Sequence, residues 1–296
     1  MIRLLLFLLY LSASHAARDR LQSAVLVADS KYVQDLLHEK ESGIITSHLQ
    51  IDVNRVESVN GRTSLLQCGF DPQKKSVDEV DMNCTDIARQ LYSAGANMSH
   101  VDNHGWNAVA IGAMKGFTEY CRFLIGVGVP VNSIDANGRT PLMKAVTHGH
   151  LKTVRMLLGA GADISIKDRY GWSALHFATR QLGGHSMYKD VLAELCEAVK
   201  GGSILNVQDA DGRTPLMYAA LQKTVHAAEL LLAAGADPRV VDNGGSTAYQ
   251  LTDDEVLRKM LAKVSATLVE AEYEKFMRRR SKRIAKMNNQ CPINGI

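Results

Sequence analysis

Apolar residues recur along most of this chain at helical spacing, and the recurrence is interrupted at regular intervals. Between Asp135 and Asp163 the sequence reads DANGRTPLMKAVTHGHLKTVRMLLGAGAD. Leu142, Ala145 and Val146 share one helical face, and Leu151, Val154, Leu157 and Leu158 resume the spacing after Gly149. Thr140 and Pro141 read as an N-cap and a first helical residue, where proline's missing N–H has no partner to lose. Asp135 opens a tight turn that Gly138 completes, since glycine alone adopts positive φ cheaply. Gly161 closes the second helix as a C-cap signal. The unit predicted is turn, helix, turn, helix. It cannot bury both faces alone and needs stacked copies.

The copies are present. The turn glycines Gly61, Gly105, Gly138, Gly171, Gly212 and Gly245 are separated by 44, 33, 33, 41 and 33 residues. Five of the six have an aspartate three positions earlier: Asp102, Asp135, Asp168, Asp209 and Asp242. The helix openings read TSLL, NAVA, TPLM, SALH, TPLM and TAYQ, and second helices end in SAGAN, GAGAD and AAGAD. A 33-residue period with this signature resembles the ankyrin repeat, over about residues 20–264. The resemblance implies an all-α repeat solenoid of about five to six helix-turn-helix repeats, with turn or β-hairpin tips and a cap at each end.

Four stretches are expected: a leader over 1–16, an N-terminal helical cap and link over 17–57, repeats over 58–264, and a basic helical tail over 265–296. The leader, MIRLLLFLLYLSASHA, has one early arginine, an apolar run and a small-x-small ending, the pattern of a cleaved secretory signal peptide. A buried helix or a retained anchor is the competing reading. The first repeat carries about 11 extra residues within DPQKKSVDEVDM, placed on the surface, so its second helix is expected at Cys84–Ser93. The fourth has an eight-residue excess near Leu182–Lys189.

Net charge is +3, and residues 265–296 hold +4 of it, so the repeat body is near neutral. That disfavours broad nucleic-acid binding by the repeats. The tail cluster Arg278, Arg279, Arg280, Lys282, Arg283 and Lys286 fits a nuclear-localisation or polyanion patch, an anionic-membrane contact, a processing site or a solvated helix end. Asn83 and Asn97 open N-x-S/T triplets and are candidate glycan acceptors at exposed turns in a secreted protein. The five cysteines contain no metal spacing; Cys68 and Cys84 share a repeat, so a disulfide between them is geometrically allowed, and Cys121 reads as a core thiol. This sparse cysteine usage leans towards a reducing compartment, against the leader. The chain is placed in the secretory pathway or outside the cell, with cytoplasm or nucleus the alternative if the leader is retained.

No phosphate-binding loop, dinucleotide fingerprint, nucleophile elbow or HExxH occurs. His148, His150 and His176 sit where ankyrin repeats use histidine structurally. No catalytic residues, metal, cofactor or small-molecule substrate are expected. What remains is a surface. Residues after the turn glycines (Arg62, Trp106, Arg139, Trp172, Arg213) form a row alternating arginine and tryptophan, and the residues before them add His104, Asn137, Tyr170 and Asp211. Arginine over tryptophan is an attractive pair, and both types often dominate interfaces. The row is either a protein-recognition strip or a set of braces between turns. First-helix positions including Met114, His148, Arg180 and Gln222 would face the same groove. The expectation is a non-catalytic module, monomeric by itself, that binds a protein through its turn tips and concave helix face. The alternative is an adaptor tethered to a polyanion or membrane through the tail.

Overall fold

The structure is a computed structural model that describes residues 30–41, 54, 56, 62–67, 76–182 and 188–290. The leader, Asn60, Gly61, Cys68, the 183–187 stretch and Cys291 lie outside the described residues. Twelve α-helices are described: α1 Ser30–Glu41, α2 Ser64–Gln67, α3 Val77–Ser93, α4 Ala108–Lys115, α5 Thr118–Gly126, α6 Pro141–Thr147, α7 Leu151–Gly159, α8 Ala174–Leu182, α9 Tyr188–Ala198, α10 Pro215–Leu221, α11 Val225–Ala234 and α12 Glu255–Gln290. A short 3-10 turn, Ser203–Asn206, precedes the fifth tip. Among the described residues there is no strand beyond one antiparallel bridge, Val241 to Thr247.

The helices stack as two rows. First helices α2, α4, α6, α8 and α10 pack side by side, and second helices α3, α5, α7, α9, α11 and α12 form the other layer, with α1 against α3. Three of the first helices, α4, α6 and α10, open on a side-chain cap. The side chains of Asn107, Thr140 and Thr214 accept the N–H of Ala110, Met143 and Met217 at 2.8, 3.3 and 3.3 Å. The apolar faces then meet between the layers, where Leu142, Val146, Leu157, Leu175, Leu192 and Leu231 are essentially fully buried. Each such side chain stabilises the stack by about 1.5–3 kcal/mol.

The first repeat departs from its expected outline. Its second helix begins at Val77, several residues before Cys84, because Ser76 caps it by accepting the Glu79 N–H at 3.2 Å and Asp78 and Glu79 meet the positive helix end. The insertion is therefore partly core. Asp81 is buried, and its two carboxylate oxygens accept the N–H groups of Glu119 and Tyr120 at 2.9 Å each. Phe117, at the N-cap of α5, cannot cap it, so the neighbouring repeat supplies the cap across the interface. Tyr120 returns the contact by donating its hydroxyl to the Leu65 carbonyl at 2.8 Å.

At the other end the sixth repeat loses its first helix. Thr247–Leu251 makes one hydrogen-bonded turn, and α12 takes the second-helix place and runs on for 36 residues across the expected 264/265 boundary. No helix among the described residues is long and apolar enough to cross a membrane.

Candidate functional site

Each turn tip is built around its aspartate. Oδ1 of Asp102, Asp135, Asp168 and Asp209 accepts the N–H groups two and four residues on, at 2.8–3.0 Å. The residue before each turn glycine then bonds the next tip through its carbonyl. His104 accepts Ala136 N–H, Asn137 accepts Arg169 N–H and Tyr170 accepts Ala210 N–H at 2.9 Å, and Asp211 accepts Asn243 N–H at 3.0 Å. The tips are thus one continuous hydrogen-bonded ribbon.

Oδ2 is left over, and in Asp102, Asp135 and Asp168 it is buried, so it needs a donor. The donor alternates. Asp135 Oδ2 receives Lys144 Nζ at 2.7 Å and Trp106 Nε1 at 3.0 Å, and Asp209 Oδ2 receives the Tyr218 hydroxyl at 2.7 Å. Lys144 and Tyr218 both stand nine residues after their aspartate, where the second and fourth repeats have Ile111 and Phe177. Those two cannot donate, and there the preceding tip supplies an arginine. Arg62 Nε reaches Asp102 Oδ2 at 3.1 Å, and Arg139 Nε approaches Asp168 Oδ2 at 3.5 Å. The arginine–tryptophan alternation thus follows the alternation of donor and non-donor nine residues after the next aspartate. Arg213 departs from the pattern, its NH1 lying 3.6 Å from Asp211 Oδ2.

This corrects the expected stacking of tip arginines on tip tryptophans. Arg62 and Arg139 are drawn to the next aspartate, and helix residues cover the tryptophan rings instead. Lys144 Nζ lies 3.7 Å from the Trp106 ring centroid and Arg180 Cζ 5.1 Å from Trp172, while the tip residue Arg139 has its Cζ 5.0 Å from the helix residue Phe177. Burial lowers the Lys144 pKa, while the Asp135 carboxylate opposes that shift. Burial alone would raise the Asp135 pKa, but the Lys144 hydrogen bond and tip N–H groups outweigh it and hold the carboxyl below its ordinary value.

One part of the row stays open. Arg139, Tyr170, Trp172 and Asp211, from the expected set, line a cleft of about 330 Å³ together with Phe177, Arg180 and Tyr218. Trp172 meets Phe177 and Tyr218 edge-on, with centroids 5.2 and 5.0 Å away. Tyr170 is 51% exposed and Arg180 is exposed, so the rim is accessible. Burial, reinforced by the hydrogen bond to Asp209, pushes the Tyr218 phenol up to about 12, so it stays a neutral donor. The remaining expected residues lie elsewhere on the ribbon: Arg62 and Trp106 in inter-repeat bonds, Asn137 half-buried, His104 exposed, and Arg213 half-buried with its carbonyl taken by His176. Phe177 and Tyr218 were not among the sequence candidates. Their signal is the offset of four residues from the helix caps Ser173 and Thr214, shared with Lys144 after Thr140.

His176 and His150 spend ring nitrogens on neighbouring backbone. His176 Nε2 lies 3.0 Å from the Arg213 carbonyl and its Nδ1 3.1 Å from the Ser173 amide nitrogen; His150 Nε2 lies 3.0 Å from the Met114 carbonyl. Burial holds both rings towards the neutral form. Cys84 is disulfide-bonded, and Cys121 and Cys196 are buried free thiols, the latter pushed by burial to about 12. Asn83 falls inside α3, half-buried, not at the exposed turn expected; the Thr85 hydroxyl of its triplet is turned inward and donates to the Asp81 carbonyl at 2.7 Å. Asn97 is exposed beyond α3, and its Oδ1 accepts the Ser99 N–H at 3.0 Å. Arg278, Arg279 and Arg280 are exposed on α12, which also carries Lys282, Arg283 and Lys286.

Comparison with known proteins agrees with this construction. Over 57 residues the chain is 46% identical to the Ankyrin repeat and LEM domain-containing protein 1 homolog of Caenorhabditis elegans. That segment is 19% of this chain and 8% of the relative, so the chain covers a small fraction of that protein's length. A family model described as ankyrin repeats, three copies, matches residues 79–168 and 165–242, more than half of the chain. With turn, helix pair and tip ribbon repeated in register, this chain belongs to the ankyrin-repeat family.

Proposed function

We propose that the chain is a non-catalytic module that binds a protein partner through the cleft at Trp172. Ankyrin repeats are in general protein–protein interaction modules, and the cleft is the observation that carries the reading to particular residues. Most of the ribbon spends its polar side chains on neighbouring repeats. Here a half-buried tryptophan, an exposed tyrosine and an exposed arginine converge on open space. Buried aromatic pockets rimmed by tyrosine and arginine are where binding energy concentrates, and a preformed cleft on stacked repeats loses little entropy on docking.

The test is a comparison of Tyr170→Ala/Arg180→Ala with the wild type against the protein that co-purifies from the native cells. Both side chains are exposed, so thermal stability should stay unchanged while affinity falls at least about tenfold. Unchanged affinity would refute the assignment of the cleft.

For location, the secretory pathway is favoured by the leader-like residues 1–16, the disulfide at Cys84 and the exposure of Asn97 and Ser99 in the second triplet. Intact mass of the native protein tests it: a mature N-terminus near Ala17 supports it, and a retained Met1 without glycan contradicts it. The alternative, attachment through the basic tail, has in its favour the exposure of Arg278, Arg279 and Arg280. Deleting residues 275–287 should leave the partner complex intact under the cleft reading and abolish surface retention under the alternative.

A further inference from the structure

α12 has 36 residues, about 54 Å of helix, far more than a cap needs. Its first turns pack on the last repeat through the fully buried Leu257 and Leu261, and Val264 and Leu268 continue that face half-buried. From Val269 to Ser281 every residue is exposed. One tie reaches into this stretch. Arg239 donates to both carboxylate oxygens of Glu272 at 2.9 and 3.1 Å while also holding Asp237 at 2.8 Å. The pair ties the helix to the last repeat beyond its buried turns and leaves the rest of its circumference open.

Along this stretch lie Val269, Tyr273, Phe276 and Met277, exposed by 56, 63, 60 and 37%. Their spacing of four, three and one residues forms a helical stripe, which Arg280 extends. A projecting helix gains most of its stability from packing such a stripe, so a cover is called for.

Charge indicates which cover. Glu270, Glu272 and Glu274 precede the stripe's centre, and Lys275, Arg278, Arg279 and Arg280 follow it. Two copies laid parallel would set acid beside acid and base beside base. Laid antiparallel about the midpoint between Glu274 and Lys275, each acidic block lies along the other's basic block, Val269 meets the second copy's Arg280, and Tyr273 meets its Phe276. We infer that this stripe of α12 pairs antiparallel with the same stripe of a second copy, so that the chain is a homodimer with its repeat bodies pointing apart. This departs from the monomer expected of the repeats alone. An anionic membrane suits the stripe less well, because three glutamates share the segment with the basic residues. The cleft at Trp172 lies on other repeats, so either proposal can fail without the other.

Sedimentation equilibrium of the purified full chain over a roughly hundredfold concentration range tests the pairing. Twice the chain mass is expected, with Tyr273→Glu/Phe276→Glu weakening association at least about tenfold at unchanged helical content. Glu270→Lys/Glu274→Lys and Arg278→Glu/Arg279→Glu should each dissociate alone and recombine when mixed in equal amounts. A monomer at every concentration would overturn the inference. So would a dimer indifferent to Tyr273→Glu/Phe276→Glu, charge variants that fail to recombine, or a wild-type monomer that binds phosphatidylserine vesicles.

Discussion

Asp168 keeps one carboxylate oxygen, Oδ2, without a hydrogen bond among the described residues, although its side chain is 1% exposed. The reason is Phe177, which occupies the place from which Lys144 and Tyr218 serve Asp135 and Asp209. Phe177→Tyr should therefore stabilise the fold by about 0.5–1.5 kcal/mol, read from urea unfolding; no gain would refute the donor rule. Trp106→Ala should act oppositely. It removes the ring under Lys144 and a donor to Asp135, and a loss of about 3 kcal/mol is expected. Histidine adds a pH dependence. Burial lowers the folded-state pKa of His150 and His176, so the unfolded chain takes up protons that the folded chain refuses. Their contribution is intact above about pH 6.5 and is lost as pH falls from there through the folded values. The urea midpoint should drop between about pH 7.5 and about pH 5.5, and His176→Asn should flatten that drop, at lower overall stability. At this scale the sequence displays the tip row but not its partners. Whether Arg139 faces a partner or Asp168 depends on a residue 38 positions away, Phe177.

The elements were the more legible level, because glycine, proline and threonine fix turn and cap chemistry locally. Gly138 has φ +76°, and a Cβ there would stand 3.1 Å from the Arg169 amide nitrogen of the next tip. Gly138→Val should cost about 1–3 kcal/mol from the backbone conformation alone, with the clash in addition. Unchanged thermal stability would contradict the turn. The early start of α3 was legible in principle: Ser76 and Glu79 have the spacing of a capping box. The polar composition of the insertion masked it, since a buried aspartate that caps a neighbouring helix looks like surface when only its own segment is considered. Asp81→Ala removes that cap, and a loss of about 1–2 kcal/mol is expected, with faster hydrogen exchange at Glu119 and Tyr120.

Across the whole molecule, stacking turns a local rule into a surface. Interfaces between repeats consume the tip side chains where donor and acceptor match, and the cleft opens where aromatic residues of adjoining repeats converge on Trp172. The architecture was readable from the 33-residue period. The cleft was half readable: Arg139, Tyr170, Trp172 and Asp211 stood out at the tips, whereas Phe177 and Tyr218 belong to helices whose side chains reach the tips only after stacking. Under the proposed function this cleft, and not the whole row, receives the partner. The most direct test measures partner affinity and thermal stability side by side for Tyr170→Ala/Arg180→Ala and for Trp106→Ala. Lost affinity at unchanged stability is expected in the first, and lost stability in the second. Full affinity in the first variant would contradict the proposed function.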